Sequence, residues 1–147
     1  MCSTLSIAQD SLTWESKADT VITYAKSQLG ATYKWGTCKP GECFDCSGLT
    51  YYAYKQIGVV CPRSSSGLSN VGSEVPLESC RKGDLLLFRG TNPNDKSVGH
   101  VGIVVENRGD ELDFIHCSSS SKHFGVVVTE YYGSGYPKRF IKVKRLF

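Results

Sequence analysis

The 147-residue sequence lacks the features that would place a chain in a membrane. No stretch approaches the run of about 18 apolar residues that a transmembrane helix needs. The first twenty residues have neither a basic leading region nor a continuous apolar stretch. We therefore expect no membrane span and no ordinary signal peptide, unless one precedes Met1. Internal repeats are also missing, and the one low-complexity tract is the short serine run at 118–121.

The length and composition favour one globular domain. Apolar residues make up 40% of the chain and charged residues 21%, which is an ordinary balance for a folded protein. A chain of this size buries roughly 68–70% of its unfolded surface. Folding therefore requires neither a metal ion nor disulfide bonds.

The excess of basic residues is small, with 17 Lys and Arg against 14 Asp and Glu. Five of the basic residues lie in the last ten positions: Lys138, Arg139, Lys142, Lys144 and Arg145. Such a cluster would suit nucleic acid or another anionic polymer. The alternation in FIKVKRLF is explained more simply by a final strand whose lysines face solvent. We accordingly expect no nucleic-acid partner.

The seven cysteines have two interpretations. Their odd number leaves at least one thiol outside any intramolecular disulfide framework, and the sequence does not pair the others. Alternatively, Cys38, Cys43 and Cys46 follow C-x4-C-x2-C, the spacing of plant-type [2Fe–2S] ferredoxins, with Cys80 or Cys117 as a fourth ligand. Both interpretations remain open at this stage.

Helical patterns come first in the chain and strand patterns follow. Apolar spacing predicts helices over 19–29, closed by Gly30, and over 47–57, closed by Gly58. Residues 31–45 and 62–73 are predicted to be loops. Short β-branched or alternating runs predict strands at 84–88, 100–105, 112–116, 126–129 and 140–144. We predict an α+β domain over 17–147, with helices packed on a mostly antiparallel sheet of five to six strands, after an arm at 1–16.

One cysteine stands where a loop enters a helix, in Phe44-Asp45-Cys46-Ser47-Gly48. The free N–H groups and partial positive charge of a helix N-terminus stabilise a thiolate. We therefore expect a lowered pKa for Cys46, which would make it the strong nucleophile that amide cleavage requires.

Two of the three histidines lie in predicted strands. His100 opens the strand after a glycine, and its imidazole suits proton transfer near neutral pH. His116 lies near the end of the next strand, where it would orient His100 as the third member of a triad. We expect His123, in a polar loop, to be solvated. The separation of 54 residues from Cys46 to His100 fits neither the papain order nor the caspase order.

Together these segments resemble the NlpC/P60 family of cysteine peptidases over about 21–144. The matching pieces, in chain order, are LGATYKWG (29–36), FDCSGL (44–49), CPRSS (61–65), KGDL (82–85), GHVGI (99–103) and FIH (114–116). The resemblance implies a papain-like core, with Cys46 as nucleophile, His100 as base and His116 as the orienting residue. It implies neither a cofactor nor a metal ion.

The resemblance also assigns supporting roles. The hydroxyl of Tyr33 is expected to hold the developing oxyanion, and Trp35 is expected to pack in the core. Asp45 and Ser47 are expected to fix the loop and contact substrate, and Arg63 to support the site or bind a substrate carboxylate. The family usually has no cysteine at 38 or 43, and a disulfide from either residue would suit an exported protein.

Family members hydrolyse amides in the stem peptides of bacterial cell walls, commonly between D-γ-glutamate and a diamino acid. We therefore expect a peptidoglycan amidase that is secreted or periplasmic. The small size, with no wall-binding module or signal peptide, suggests a toxin sent between bacteria by a specialised secretion system, with a cognate inhibitor protein. The alternatives are the [2Fe–2S] protein on Cys38, Cys43, Cys46 and Cys80, and an acyltransferase or phospholipase of related architecture.

Overall fold

The computed structural model describes residues 13–147. Its helices and strands, in chain order, are α1 (Trp14–Lys26), β1 (Thr32–Tyr33), β2 (Cys38–Lys39), β3 (Cys43–Phe44), α2 (Cys46–Lys55), α3 (Ser65–Leu68), β4 (Ser73–Val75), β5 (Leu85–Arg89), β6 (Val98–Asn107), β7 (Leu112–Ser118), β8 (Gly125–Glu130) and β9 (Phe140–Arg145). Single turns of 3-10 helix lie at Leu77–Ser79 and Tyr136–Arg139. The predicted α+β class is confirmed. In this part of the chain no helix is both long and apolar enough to span a membrane.

Helix α1 starts five residues before its predicted start at Asp19. The side chain of Thr13 caps it by accepting a hydrogen bond from the Ser16 N–H at 3.2 Å. Its first turn, WESK, has one apolar residue among three polar ones, so apolar spacing gave no signal there. The helix therefore includes positions 14–16 of the predicted arm, and residues 1–12 lie outside the described part of the chain.

Six strands form the main sheet, in the order β4-β9-β5-β6-β7-β8. All its neighbouring strands are antiparallel. One face packs on α1 and α2 through a core that includes Leu87, Val101 and Ile115. The other face holds a second apolar cluster around Phe88 and Phe114. The alternation of side chains along each strand thus fills two separate cores.

The five predicted strands are confirmed. Strand β4 was missed: its first residue, Ser73, is the last of the loop predicted at 62–73, and no element was predicted at 74–75. Strand β9 lies between β4 and β5 rather than at an edge. As a result Lys144 is only 9% exposed, and the prediction that it faces solvent is wrong. Arg145 forms an ion pair with buried Asp84 at 2.8 Å, so this charge also has a structural partner.

Candidate active site

Cys46 is the first residue of α2, which begins one residue before the predicted helix at 47–57, and it is 8% exposed. Cys46 lies near the end of the sheet at which β6 and β7 are no longer paired with each other. Strands β6 and β7 are paired only from Ile103 and Ile115 onward, although β6 begins at Val98. The Sγ of Cys46 lies 4.0 Å from the carbonyl oxygen of Gly99, within the end of β6 that pairs with β5 but not with β7. The helix start therefore fits beside the strand segment that contains His100.

The carboxylate of Asp45 joins three parts of the chain around the helix start. It accepts hydrogen bonds from the N–H of Gly48 at 2.6 Å and of Gly36 at 2.9 Å, and it binds the guanidinium of Arg63 at 2.8 Å. The hydroxyl of Ser47 donates to the Arg63 carbonyl at 2.8 Å. Asp45 and Ser47 thus fix the loop, as the resemblance implied, and Arg63 supports it. Their contact with substrate stays a prediction.

The turn at 34–37 packs directly against α2. A Cβ atom on Gly48 would collide with the carbonyl of Thr37, so this position needs glycine for close approach. Trp35 lies on the outside of the turn and is 84% exposed, so its predicted place in the core is wrong. The backbone of this turn, rather than its indole, makes the contact with the helix.

His100 and His116 are in direct contact. Continuing the register of β6 and β7 places His116 opposite Gly102, two residues beyond His100 on the same face. The missing side chain of Gly102 leaves room for the ring of Phe114 and for the side chain of His116, because a Cβ there would meet both. The Nε2 of His100 lies 2.9 Å from the Nδ1 of His116. The sheet register therefore builds the predicted base and orienting residue as a hydrogen-bonded pair.

Both imidazoles are held in the neutral form. Burial lowers the pKa of His100 well below 6.5, and the neighbouring His116 and Arg139 lower it further. Burial, again with Arg139, lowers the pKa of His116 to about 3. With both rings neutral, the hydrogen bond between them contains one proton, which lies either on the Nε2 of His100 or on the Nδ1 of His116.

The pKa of Cys46 is raised above 9.0, chiefly by burial and then by the charge of Asp45. The backbone N–H groups of Val101, Ser47 and Cys46 lower it, but less. The expectation of a lowered pKa is therefore wrong, because desolvation and the capping carboxylate outweigh the helix N-terminus. A thiolate at Cys46 would form an ion pair with a protonated His100. The free domain has instead a neutral thiol beside a neutral imidazole. Among the described residues, the Sγ makes no hydrogen bond to either imidazole.

Burial raises the pKa of Tyr33, and the nearby charges of Asp45 and, once it is ionised at high pH, of Cys46 raise it further. The phenol therefore stays protonated and remains a hydrogen-bond donor. Its ring packs edge-on against Phe124, with centroids 6.2 Å apart. This placement agrees with a donor role at the reaction centre.

Three residues near the histidine pair were missed by sequence reasoning. Thr129 of β8 lies 2.8 Å from the Nε2 of His116 through its Oγ1. The ring of Tyr136 stacks on His100 at 5.6 Å and 27°, and Arg139 lies against that tyrosine. All three follow the last predicted histidine in the chain, and no short motif marks them. The one indication is that side chains alternate between the two faces of β8, which places Thr129 on the same face of the sheet as His116.

The six cysteines within 13–147 are all free thiols. Cys38 pairs with Phe44 across β2 and β3, whereas Cys43 pairs with Lys39. Paired residues share a face, so the two thiols point to opposite faces, and a disulfide between Cys38 and Cys43, one of the pairings that the sequence left open, does not fit this fold. Cys2 lies outside the described residues.

The iron–sulfur interpretation requires four thiolates around one cluster. Cys46 belongs to the core beneath the helices, whereas Cys80 belongs to the cluster on the opposite face of the sheet. Within the described range, no group of three or more metal-binding side chains converges. The ligand set Cys38, Cys43, Cys46 and Cys80 therefore does not fit this fold.

The family assignment follows from comparison with known proteins. The NlpC/P60 family description matches residues 30–145, which is most of the chain. The chain belongs to the NlpC/P60 family. The match includes the helix–cysteine segment and both histidine strands of this NlpC/P60 domain.

Several relatives of this NlpC/P60 domain carry names that describe an activity. It is 36% identical over 119 residues to the probable endopeptidase Rv2190c of Mycobacterium tuberculosis, covering 81% of this chain and 28% of that protein. It is 37% identical over 83 residues to the murein DD-endopeptidase MepH of Escherichia coli, covering 54% of this chain and 30% of that protein. It is 30% identical over 122 residues to a gamma-DL-glutamyl hydrolase of Bacillus subtilis, covering 83% of this chain and 28% of that protein.

A solved NlpC/P60 structure agrees with the fold. The crystal structure of an NlpC/P60 family protein from Bacillus cereus is 31% identical, with a TM-score of 0.75, over 87% of this chain and 39% of that one. The chain thus spans less than a third of the curated relatives described above and less than half of this structural one.

Proposed function

We propose that this NlpC/P60 domain is a cysteine peptidase that hydrolyses amide bonds in peptidoglycan stem peptides. The observation that carries the proposal is the hydrogen-bonded pair of His100 and His116, built by the sheet beside the thiol of Cys46. A nucleophile, a base and a group that orients the base are the parts that acyl transfer through a thiol requires.

The neutral thiol and neutral imidazole define the order of events. His100 takes the proton of Cys46 as its sulfur attacks the amide carbon, and the new C–S bond forms while the carbonyl oxygen becomes an oxyanion. The hydroxyl of Tyr33 and the free N–H groups at the start of α2 stabilise that oxyanion. The imidazolium then gives its proton to the leaving amine, and the C–N bond breaks.

Water completes the cycle. His100 removes a proton from a water molecule, the hydroxide attacks the thioester carbon, and the thiolate of Cys46 leaves and recovers a proton from the imidazolium. Throughout, His116 accepts the hydrogen bond from His100 and so stabilises the imidazolium in each half-reaction. Catalytic hydrogen bonds often tighten only when substrate binds, which accords with the absence of a Cys46–His100 bond in the free domain.

The bond we propose is the amide between D-γ-glutamate and the diamino acid. The name of the gamma-DL-glutamyl hydrolase supports this choice, whereas the name of MepH points to a different murein bond. Because peptidoglycan lies outside the cytoplasm, the proposal includes a secreted or periplasmic location for this enzyme. We further propose that this enzyme is a toxin delivered to other bacteria, and that a cognate inhibitor protein covers its cleft.

Mass spectrometry of purified peptidoglycan fragments after incubation with wild type and with Cys46→Ala tests the proposal. New fragments from wild type alone support it, and their masses identify the bond. Intact fragments in both samples, from folded and reduced protein, would overturn it. A parallel incubation with phospholipid vesicles tests the acyltransferase and phospholipase alternatives.

The toxin role has its own experiment. Export of wild type to the periplasm of a susceptible bacterium is expected to cause lysis, and export of Cys46→Ala is not. Equal survival of both strains, with both proteins detected in the periplasm, would exclude the toxin role and leave the enzymatic proposal intact.

A further inference from the structure

The histidine pair is one link in a longer hydrogen-bonded chain. The Nε2 of His100 lies 2.9 Å from the Nδ1 of His116, and the Nε2 of His116 lies 2.8 Å from the Oγ1 of Thr129. His116 is 1% exposed, so both its nitrogens depend on these partners. Thr129 is half-buried and lines an open cleft of about 610 Å³. The chain thus runs from the reaction centre to a surface cleft.

Two proton arrangements satisfy this chain, and only one permits catalysis. In the first, the Nε2–H of His100 donates to the Nδ1 of His116, whose Nε2–H donates to Thr129, and the Nδ1 of His100 keeps a free lone pair. In the second, Thr129 donates to His116, the Nδ1–H of His116 donates to His100, and the proton of His100 lies on Nδ1. Because Nε2 of His100 is engaged with His116, only Nδ1 is free to take the proton of Cys46. The second arrangement therefore blocks the base.

We propose that Thr129 is a positioning residue that selects the productive tautomers of His116 and His100 by accepting a hydrogen bond from His116. This inference rests on the proposed function, because it concerns how His100 acts as the base of that reaction. The hydroxyl can accept from His116 while its own hydrogen points to water in the cleft. Neither Thr129 nor any other residue of β8 belongs to the motifs that predicted the site.

Tyr136 reinforces the same arrangement from the other side. Its hydroxyl lies 3.5 Å from the Nδ1 of His116, where an O–H donor favours a nitrogen that carries no proton. Its ring stacks on His100, which limits rotation of that imidazole. With Thr129 accepting at Nε2 and Tyr136 facing Nδ1, both neighbours of His116 favour the productive tautomer.

The chain offers a matched pair of variants. Thr129→Val keeps the shape but removes the hydroxyl, whereas Thr129→Ser keeps the hydroxyl. In the valine variant the Nε2 of His116 has no partner in either arrangement: it is an unpaired N–H in the productive one and an unpaired lone pair in the other. We take the unpaired buried N–H as the costlier of the two, by enough to shift the tautomer ratio about tenfold. We expect kcat to fall about tenfold in Thr129→Val with KM within about twofold, and to stay near wild type in Thr129→Ser.

A readout that needs no substrate separates this inference from the proposed function. The chain has three histidines, so nitrogen-15 NMR of the imidazoles can assign each tautomer. We expect protons on the Nε2 of both His100 and His116 in wild type and Thr129→Ser, and an Nδ1–H population in Thr129→Val. The alkylation rate of Cys46, followed by peptide mapping, should fall in the valine variant alone.

The outcomes are distinct. A proton on the Nδ1 of His100 in folded wild type would overturn the inference, as would wild-type tautomers and kcat in Thr129→Val or an equal loss in Thr129→Ser. If wild type leaves peptidoglycan intact but the tautomers and alkylation rates follow the expected pattern, the proposed substrate is wrong and the role of Thr129 stands. Thermal unfolding of both variants verifies that each is folded at the assay temperature.

Discussion

Replacing His116 by asparagine tests whether a buried neutral imidazole limits the acid stability of this fold. The pKa of His116 falls from the ordinary value of 6.5 to about 3 on folding, because burial disfavours the charged ring. The unfolded chain therefore binds more protons than the native one between these values, and stability declines as pH falls below 6.5. Above 6.5 both states are neutral at this residue, and its full contribution is present.

The size of the effect follows from the same values. At about pH 4.5 the unfolded histidine is protonated and the native one is not, which costs about 3 kcal/mol relative to about pH 7. Small domains have only about 5–15 kcal/mol of stability, so a loss of this size is readily measured. His100, also buried with a lowered pKa, adds to the loss in the same direction.

Urea unfolding at the two pH values gives the measurement. His116→Asn should lose stability at neutral pH through its altered contacts, but its further loss on acidification should be smaller than that of wild type by about 3 kcal/mol. His123→Asn is the matched control, because His123 is exposed and is the smallest of the three causes of the lowered pKa of His116, so its removal should change the acid loss little. Equal acid losses in wild type and His116→Asn would refute the argument that His116 is buried in its neutral form.

Three further predictions concern the site itself. Tyr33→Phe should lower kcat by about 10²–10³ with little change in KM, because its hydroxyl acts on the oxyanion; an unchanged kcat would remove Tyr33 from the reaction. The thiolate absorbance that distinguishes wild type from Cys46→Ala should appear only above pH 9, since burial and Asp45 raise the pKa of this thiol; a signal at neutral pH would restore the ion pair. Asp45→Ala should lower the free energy of unfolding by about 2 kcal/mol. Asp45→Asn keeps an acceptor for the helix cap and should lower it by about 1 kcal/mol. Equal urea midpoints for the two variants would contradict the capping role.

The sheet could be predicted from the sequence because its strands alternate or are continuously apolar over several residues. Strands β5 to β9 lie within a few residues of their predicted positions. Strands β1, β2 and β3 have two residues each, which is too short for any periodicity to register. The start of α1 was also missed, because its first turn has a single apolar residue and so shows no apolar periodicity.

The candidate site could be predicted only in part, because residue identity does not determine environment. The motifs located Cys46, His100 and His116, and the register of β6 and β7 brings the two histidines together. The pKa of Cys46 depends on burial and on the capping carboxylate, which no local pattern reveals. Thr129 reaches His116 only through the pairing of β7 with β8, so its role required the structure.

The exposure of Trp35 has a similar cause. A tryptophan in a compact domain usually packs inside, but here the turn at 34–37 contacts α2 through its backbone and leaves the indole outside. The burial of Lys144 likewise follows from the position of β9 between two other strands. Both errors arose because burial depends on which elements become neighbours.

The most direct test of the central claim is the rate of cleavage of a defined stem peptide that contains a D-γ-glutamyl–diamino acid bond. Wild type, Cys46→Ala and His100→Ala are compared by quantifying both product halves, with circular dichroism verifying that all three are folded. We expect products from wild type alone, with a new carboxylate on D-glutamate and a free amine on the diamino acid. Equal cleavage by Cys46→Ala, or a folded wild type that leaves this peptide and intact peptidoglycan uncut, would contradict it.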